Sequence, residues 1–299
     1  MTQIHSPLTG NTDVKLIQSL DVRRIEAQYL ADVNVDVRRF FTGLAEVKIY
    51  ECQTSGLRFY HPFTLAGDGE FYARLSASYQ GYYSPWKWEH EVVYGHVAKG
   101  MDVLEIGCGN GYFLQKLQQN GCRPVGLELN EKAVEYGRQH GLPILNESLA
   151  VHAAANPGKY DMVCAFQVFE HVTDLRQMLE QAVACLKKGG ILAIGVPNND
   201  AYIFKKDLYH TLNLPPHHTL LWSPGSLGYL PRLFDLQTIG ILTEPAHKIH
   251  KSATYRLFLR NLLKSKPLAD AIHALSRVVV KNLPVFNDGA AVVGMFRKG

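Results

Sequence analysis

The 299-residue chain has no apolar run of the roughly 18 residues that a membrane-spanning helix needs. Its first residues lack a basic region followed by an apolar one, so no secretory signal peptide is predicted. The five cysteines are scattered and form no C-x-x-C pair, which argues against a disulfide framework and against a zinc site. These absences predict a cytoplasmic protein with reduced thiols. The hydrophobic content of 46% is enough for a sizeable core.

Acidic residues are almost absent from residues 245–284, where eight Lys or Arg accompany a single acid, Asp270. The net charge of the whole chain is only +4, so this segment carries the basic surplus. A basic helical segment is most often a solvated face or a docking patch for an acidic substrate, and less often a membrane or nucleic-acid contact. We therefore expect no nucleic-acid partner. An acidic acceptor and a peripheral membrane contact through this segment both stay open.

Residues 102–111, DVLEIGCGNG, join a short apolar strand to a helix through a glycine-rich turn. Gly107, Gly109 and Gly111 allow the backbone to bend sharply and allow a ligand to approach the main chain. The N–H groups at the start of the following helix favour a negatively charged ligand group. The turn alone is a weak signal, because an ordinary strand-to-helix connection also uses glycine.

Two acidic residues near this turn narrow the choice of ligand. Glu105 lies inside the strand, where a carboxylate repels phosphate but suits a cationic amino group. Tyr112 occupies the place where a dinucleotide fingerprint has its third glycine. Glu128 ends a second apolar run about twenty residues later, as a ribose-binding carboxylate does. A ribose joined to an amino-acid end, without phosphate, describes S-adenosylmethionine.

Four sequence blocks carry a resemblance to a known family. VLEIGCGNG (103–111), VGLELN (125–130), YDMVCAFQVFEHV (160–172) and LKKGGILAIGVPN (186–198) occur in the order and spacing typical of class I S-adenosylmethionine-dependent methyltransferases. The chain resembles this family, which implies S-adenosylmethionine as cofactor, whereas the four blocks say almost nothing about the methyl acceptor. We expect a small-molecule or glycan-type acceptor, methylated on oxygen. The cofactor-binding residues expected on this basis are Tyr83, Glu105, Gly107, Cys108, Gly109, Gly111, Glu128, Leu129, Asn146, Glu147 and Gln167.

The alternation of strand and helix patterns after residue 96 predicts an α/β fold: a doubly wound, mostly parallel, seven-stranded Rossmann-like sheet. Residues 1–95 are expected to form an N-terminal cap for substrate recognition, and residues 96–299 the cofactor-binding core. Within the cap, residues 13–45 show helical periodicity, and residues 46–60 alternate like two strands around a Thr-Ser-Gly turn. The basic segment 245–284 is predicted to be a helical insertion before the last strand.

Three histidines are candidates for acid–base catalysis, because methylation of an oxygen requires a base. His171 follows the fourth core strand, and His217 and His218 follow a pair of prolines. A subset similar to the ubiquinone-pathway O-methyltransferases binds magnesium through Glu-x-x-Glu-His. Here the first position is Gln167, so one anionic ligand is missing and no metal is expected.

Two other function classes stay open from the sequence. A nicotinamide-dependent oxidoreductase uses the same kind of sheet, although Tyr112 and Glu105 argue against it. A non-catalytic S-adenosylmethionine-binding protein would keep the cofactor fold without an acceptor site. The sequence identifies neither the acceptor nor the oligomeric state.

Overall fold

The computed structural model describes residues 3–79, 85–246, 248–280 and 288–299. The helices and strands of these residues are, in chain order, β1 (Val14–Asp21), α1 (Val22–Val33), β2 (Glu46–Cys52), β3 (Arg58–His61), α2 (Gly69–Ser78), α3 (Trp88–Tyr94), β4 (Asp102–Ile106), α4 (Tyr112–Gln119), β5 (Arg123–Leu127), α5 (Glu131–Gln139), β6 (Ile144–Leu145), α6 (Leu149–Ala155), β7 (Tyr160–Phe166), α7 (Leu175–Cys185), β8 (Leu186–Pro197), α8 (Tyr202–Lys206), β9 (Leu220–Leu221), α9 (Pro224–Gly228), β10 (Leu236–Pro245), α10 (Lys248–Leu263), α11 (Lys266–Val280) and β11 (Asp288–Lys298).

The larger sheet has seven strands in the order β10-β11-β8-β7-β4-β5-β6. The pairs β5–β6, β4–β5, β4–β7 and β7–β8 are parallel, and β11 is antiparallel to both β8 and β10. Strands buried on both faces require continuous apolar runs, and β7 and β8 supply them. This arrangement confirms the predicted doubly wound Rossmann-like sheet, with strand bounds close to those expected.

Three helices of the core, α5, α6 and α9, begin at a capping side chain. The Asn130 side chain accepts a hydrogen bond from the Lys132 amide at 3.0 Å and starts α5. Ser223 caps α9, and Pro224 occupies the first helical position, as the Ser-Pro pair predicts. The carboxyl ends of the parallel strands therefore meet loops and helix starts at one edge of the sheet, where ligands bind in this type of fold.

The smaller sheet has four strands in the order β1-β2-β3-β9. Its β2–β3 hairpin confirms the two strands expected between residues 46 and 60. The continuous helix expected over residues 13–45 is wrong for Val14–Asp21, which pairs with β2 as an edge strand. Leu16 and Ile17 are 47% and 44% exposed, so their apolar character does not mark a buried helical face. The helix begins only at Asp21, whose carboxylate accepts the Arg24 amide hydrogen bond at 2.9 Å.

The smaller sheet is completed by a strand from the other part of the chain. Leu220 and Leu221 of β9 pair with Phe59 and Arg58 of β3. The Tyr60 hydroxyl donates a hydrogen bond of 2.9 Å to the Asn213 carbonyl oxygen. The loop after β8 is therefore anchored on the N-terminal region. The division into a cap and a core at residue 95 stays a prediction.

The basic segment forms two helices, α10 and α11, between the last two strands, as the sequence predicted. Ala291 of β11 lies opposite Pro197 at the end of β8, so β11 begins near the carboxyl edge of the parallel strands. Arg256 and Arg260 both donate hydrogen bonds to Asp270, which joins α10 to α11. Among the residues described, no helix combines the length and apolar character that crossing a bilayer requires.

Candidate active site

The glycine turn after β4 has the conformation that its sequence demands. Gly107, Gly109 and Gly111 have φ of 69°, 52° and 75°, a region that residues with a side chain rarely adopt. A Cβ added at Gly107 would lie 2.6 Å from Cγ2 of Val168, so this glycine also permits close packing against the turn after β7. The amide groups of Gly107 and Cys108 donate to the Leu127 carbonyl oxygen at 2.8 and 3.1 Å. The turn is therefore held between β5 and β7.

Glu128 is positioned by the glycine turn and by its own loop. Its Oε2 accepts a hydrogen bond of 2.8 Å from the Gly109 amide. Its Oε1 accepts hydrogen bonds from the amides of Leu129 and Asn130, each at 2.8 Å. A carboxylate fixed in this way beside a glycine turn suits the two hydroxyl groups of a ribose.

Glu105 is a buried carboxyl group close to Glu128. It is only 4% exposed, and its Oε2 has no hydrogen-bond partner among the described residues. Burial, reinforced by the negative charge of Glu128, raises the pKa of Glu105 well above its usual value. A buried carboxyl oxygen without a partner is costly. A ligand with an ammonium group and a nearby sulfonium would satisfy it, so these residues fit S-adenosylmethionine.

Three further predicted cofactor residues, Leu129, Asn146 and Glu147, follow β5 and β6. Leu129 is 69% exposed, an apolar surface that suits the face of an adenine ring. The Asn146 amide donates to the Glu128 carbonyl oxygen at 3.0 Å, whereas Glu147 pairs with His152. Asn146 therefore contacts Glu128, the residue that bonds to the glycine turn, whereas the carboxylate of Glu147 is paired with His152. Tyr83 lies outside the described residues. The assignment of all these residues to cofactor binding stays a prediction.

Cys108 serves the turn through its small size. A Cβ added at Gly126 would lie 2.5 Å from the Cys108 sulfur, so the two residues pack closely. Burial raises the pKa of the Cys108 thiol, and the charges of Glu105 and Glu128 add to this effect. The thiol is therefore kept protonated, and we assign it no chemical role.

Gln167 ends β7 and faces a glutamate that the sequence did not single out. Its φ is +57°, and its side-chain amide donates a hydrogen bond of 2.9 Å to Glu89 Oε1. Glu89, on α3, is 4% exposed, and burial raises its pKa. Sequence reasoning missed Glu89 because an acid beside Trp88 in an amphipathic helix is usually exposed.

The three candidate histidines meet in one cluster. The ring centroids of His171 and His217 are 4.7 Å apart, those of His171 and His218 are 4.9 Å apart, and those of His217 and His218 are 4.5 Å apart. Main-chain bonds bring the two loops together: the Thr219 amide donates to the Glu170 carbonyl oxygen at 2.8 Å. We call His171, His217, His218 and the adjoining Glu170 the histidine cluster.

Each histidine of the cluster is oriented by an oxygen atom at its Nδ1. His171 Nδ1 lies 2.6 Å from the His217 carbonyl oxygen, and His217 Nδ1 lies 2.8 Å from the Leu212 carbonyl oxygen. His218 Nδ1 lies 3.1 Å from Oδ1 of Asn213, whose amide nitrogen donates to Asn199. Because these oxygens only accept, each Nδ1 carries the hydrogen, and the lone pair of the neutral ring is at Nε2.

Burial keeps the imidazoles of the cluster uncharged. It lowers the pKa of His171 to about 4 and lowers the pKa values of His217 and His218 well below the usual value for histidine. The same burial raises the pKa of Glu170 to about 8, with a smaller contribution from the charge of Glu89. The site thus combines neutral imidazoles with a carboxyl group that resists ionisation.

Tyr72 of α2 also reaches this cluster. Its hydroxyl donates a hydrogen bond of 3.3 Å to the His217 carbonyl oxygen, and its ring packs edge-on against His171 at 5.7 Å. Tyr72 and Phe71 lie side by side in an aromatic-rich stretch, so the sequence did not single out Tyr72. Phe71 is buried in the core of the N-terminal region. The contact depends on the fold, since Tyr72 and His217 are far apart in the sequence.

The sheet order defines a Rossmann-like domain, and its glycine turn and two acids suit a nucleoside-type cofactor. A family described as "Methyltransferase domain" matches residues 92–238. A probable S-adenosylmethionine-dependent methyltransferase of Mycolicibacterium smegmatis is 32% identical over 164 residues, covering 53% of this chain and 60% of the relative. These similarities support the predicted class I S-adenosylmethionine-dependent methyltransferase, with its methyltransferase domain at residues 92–238.

Two further similarities involve more specific names. A ubiquinone biosynthesis O-methyltransferase of Nitrosospira multiformis is 28% identical over 167 residues, covering 50% of this chain and 70% of the relative. A solved structure of a SAM-dependent methyltransferase from Archaeoglobus fulgidus has a TM-score of 0.48 and 16% identity, covering 70% of this chain and 94% of that chain. The chain spans about half the length of several other curated relatives, 45% for the one from Pectobacterium carotovorum.

Proposed function

We propose that the chain transfers the methyl group of S-adenosylmethionine to an oxygen of a small-molecule or glycan-type acceptor bound beside the histidine cluster. The observation that carries this proposal is the packing of Val168 on Gly107. It places the turn that holds Glu170 and His171 directly against the predicted cofactor turn. A neutral, oriented imidazole group near the transferred methyl is what methylation of a hydroxyl group requires.

The residues would divide the work as follows. Glu128 would hold the ribose, and Glu105 and the glycine turn would hold the amino-acid end, so that the sulfonium methyl group points towards the acceptor. The bound cofactor supplies an electrophilic methyl carbon. The histidine cluster would orient the acceptor hydroxyl and accept its proton at a histidine Nε2. The carbon–oxygen bond would form as the methyl carbon–sulfur bond breaks, with S-adenosylhomocysteine as the leaving group. His171, whose side chain is 18% exposed, is the member of the cluster most accessible to an acceptor.

The choice of oxygen as the methylated atom is supported by the relatives. Those from Nitrosospira multiformis and Pectobacterium carotovorum are both named ubiquinone biosynthesis O-methyltransferase. Their identities of 28% and 29% support the type of reaction more than the particular acceptor. A hydroxylated ring compound is therefore the first class of acceptor to test. The family match, by contrast, gives no support to a nicotinamide-dependent oxidoreductase.

A methyl-transfer assay tests this proposal directly. The protein is incubated with methyl-labelled S-adenosylmethionine and a panel containing a catechol, a hydroxylated sugar and an aromatic amine. We expect label on an oxygen, and we expect His171→Asn to reduce the rate by roughly 10²–10⁴-fold if the cluster handles the proton. His140→Ala, at an exposed histidine of α5's end, is the matched control and should leave the rate unchanged. Exclusive labelling of the amine would overturn the choice of oxygen, and a protein that binds cofactor without any transfer would be a binding module.

A further prediction concerns the basic insertion. Tyr202 of α8 and Phe258 of α10 have ring centroids 6.4 Å apart, so the insertion packs on the element that follows β8. Arg256 and Arg260 form salt bridges with Asp270. The exposed side chains of Lys264 and Lys266 are therefore the better candidates for binding an acidic acceptor.

Charge reversal of Lys264 and Lys266 to glutamate should lower the affinity for an acidic acceptor while leaving S-adenosylmethionine affinity intact. The loss should be greatest at low ionic strength, because salt screens exposed charges. Lys188→Glu, at an exposed position near the start of β8, is the matched control. Acceptor KM and cofactor Kd, measured at two salt concentrations, check this expectation. Weakened cofactor binding with an unchanged acceptor KM would place the insertion over the cofactor instead.

A further inference from the structure

We propose that the histidine cluster is a binding site for one divalent transition metal ion, with His171, His217 and His218 as nitrogen ligands and Glu170 as an oxygen ligand. This site differs from the Gln167–Glu170–His171 set that the sequence suggested and rejected. The proposal depends on the proposed function in one respect only, namely that the site lies beside the acceptor. The argument for the ion itself comes from the geometry of the four side chains.

The first support is the convergence of ligand atoms. Each of the three histidines offers one ring nitrogen as a possible ligand atom, and these three nitrogens lie within 4.8 Å of one another. Zinc–imidazole bonds are about 2.0–2.1 Å long, so two ligands of one ion lie roughly 3–4 Å apart in a tetrahedral site. The three nitrogens therefore lie near the spacing that one ion requires.

The second support is the way in which the rings are held. In each ring, Nδ1 donates its hydrogen to a carbonyl or amide oxygen, which leaves the lone pair at Nε2. This is the arrangement that metal-binding histidines commonly show, since the outer hydrogen bond fixes both the tautomer and the ring orientation. The amide of Asn213 is itself fixed by Asn199 at 2.8 Å, so the orientation of His218 is determined by two successive bonds.

The third support is Glu170, which has no other evident use. It is 0% exposed, and neither of its carboxyl oxygens has a hydrogen-bond partner among the residues described. Its Oε1 lies 3.7 Å from Nε2 of His171, so it faces the cluster. A buried carboxyl group without partners destabilises a fold, and a cation provides the missing interaction.

The donor set indicates the class of ion. Three imidazoles and one carboxylate suit zinc and its neighbours in the first transition series, whereas magnesium prefers oxygen ligands. Gln167 does not contribute, because its amide donates to Glu89. A metal ion held here would act on the acceptor hydroxyl by lowering its pKa. The ion would occupy the Nε2 lone pairs that an imidazole base would use. The cluster therefore acts either as a metal site or as a general base, and not as both at once.

Metal binding can be measured without any acceptor. The purified chain is stripped with a chelator, and Zn²⁺ is added in competition with a chromophoric chelator. We expect one tightly bound Zn²⁺ per chain, no comparable effect of Mg²⁺, and visible absorption typical of a tetrahedral site when Co²⁺ replaces Zn²⁺. X-ray absorption of the zinc-loaded wild-type protein should show three imidazole ligands, a result that depends on no variant.

Variants then assign the ligands. His218→Ala and Glu170→Gln should each weaken Zn²⁺ binding at least about tenfold, and the exposed-histidine control His140→Ala should not. Circular dichroism verifies that each variant is folded. No stoichiometric Zn²⁺, or equal affinity in folded His218→Ala and wild type, would overturn the site. If the protein transfers methyl groups but binds no zinc, the metal site is wrong and the proposed function stands. If it binds zinc but transfers a methyl group to no acceptor, the metal site stands and the proposed function is wrong.

Discussion

Replacement of Glu128 by alanine should raise the Kd for S-adenosylmethionine by roughly 5- to 150-fold, which corresponds to a loss of about 1–3 kcal/mol. The carboxylate is expected to accept hydrogen bonds from the ribose, and bonds to a charged acceptor are stronger than neutral ones. It also accepts from the amides of Gly109, Leu129 and Asn130, so its removal loosens the turn that faces the cofactor. Isothermal titration calorimetry with S-adenosylmethionine and S-adenosylhomocysteine measures the change.

Two matched variants separate binding from folding in this experiment. Glu135→Ala removes an exposed carboxylate from α5 that pairs with Arg138, and should leave the Kd unchanged. Glu128→Asp keeps the charge on a shorter side chain and should fall between wild type and Glu128→Ala. If Glu128→Ala binds both ligands with wild-type affinity, Glu128 is not the ribose ligand.

Replacement of Gly107 by alanine should reduce the free energy of unfolding by about 2–5 kcal/mol. The φ of +69° accounts for about 1–2 kcal/mol, because an L-residue with a side chain is strained in the left-handed region. The new Cβ would approach Cγ2 of Val168 to 2.6 Å, and overpacking of this kind costs about 1–3 kcal/mol more. Denaturant unfolding followed by circular dichroism measures the change.

The chain provides controls for each part of this loss. Gly141 has a φ of +67° and nothing within 4 Å of an added Cβ, so Gly141→Ala should show the backbone strain alone, about 1–2 kcal/mol. In a double-mutant cycle, Val168→Ala should be less harmful in the Gly107→Ala background than in wild type, because it removes the clash. Equal losses for Gly107→Ala and Gly141→Ala would mean that the close packing of the two turns is not a constraint.

The cofactor half of the molecule could be read from the sequence because its determinants are local. The glycine turn and the strand acid lie within one strand–turn–helix unit, and the second acid lies about twenty residues later, after the next strand. The strands of the core are continuous apolar runs bounded by glycine or a capping residue, and the structure confirms their positions. The hairpin over residues 46–60 was predictable for the same reason, since its turn residues lie between two alternating runs.

Val14–Asp21 shows where local pattern failed. Its spacing of Leu16, Ile17 and Leu20 also suits a helix, and only pairing with β2 selects the strand. Backbone hydrogen bonds to a partner strand, which a local pattern does not encode, override a weak helical periodicity. The same dependence on a distant partner explains why β9 joins the smaller sheet.

By itself, the sequence determined the class of fold, the glycine turn and the carboxylates that suit a nucleoside-type cofactor. Only the tertiary structure decided that His171 meets His217 and His218 beside Glu170, and that Gln167 turns away to Glu89. The physical reason is that these contacts join loops separated by about a sixth of the chain or more, held by main-chain bonds such as Thr219 to Glu170. No local pattern records which side chains such bonds will bring together.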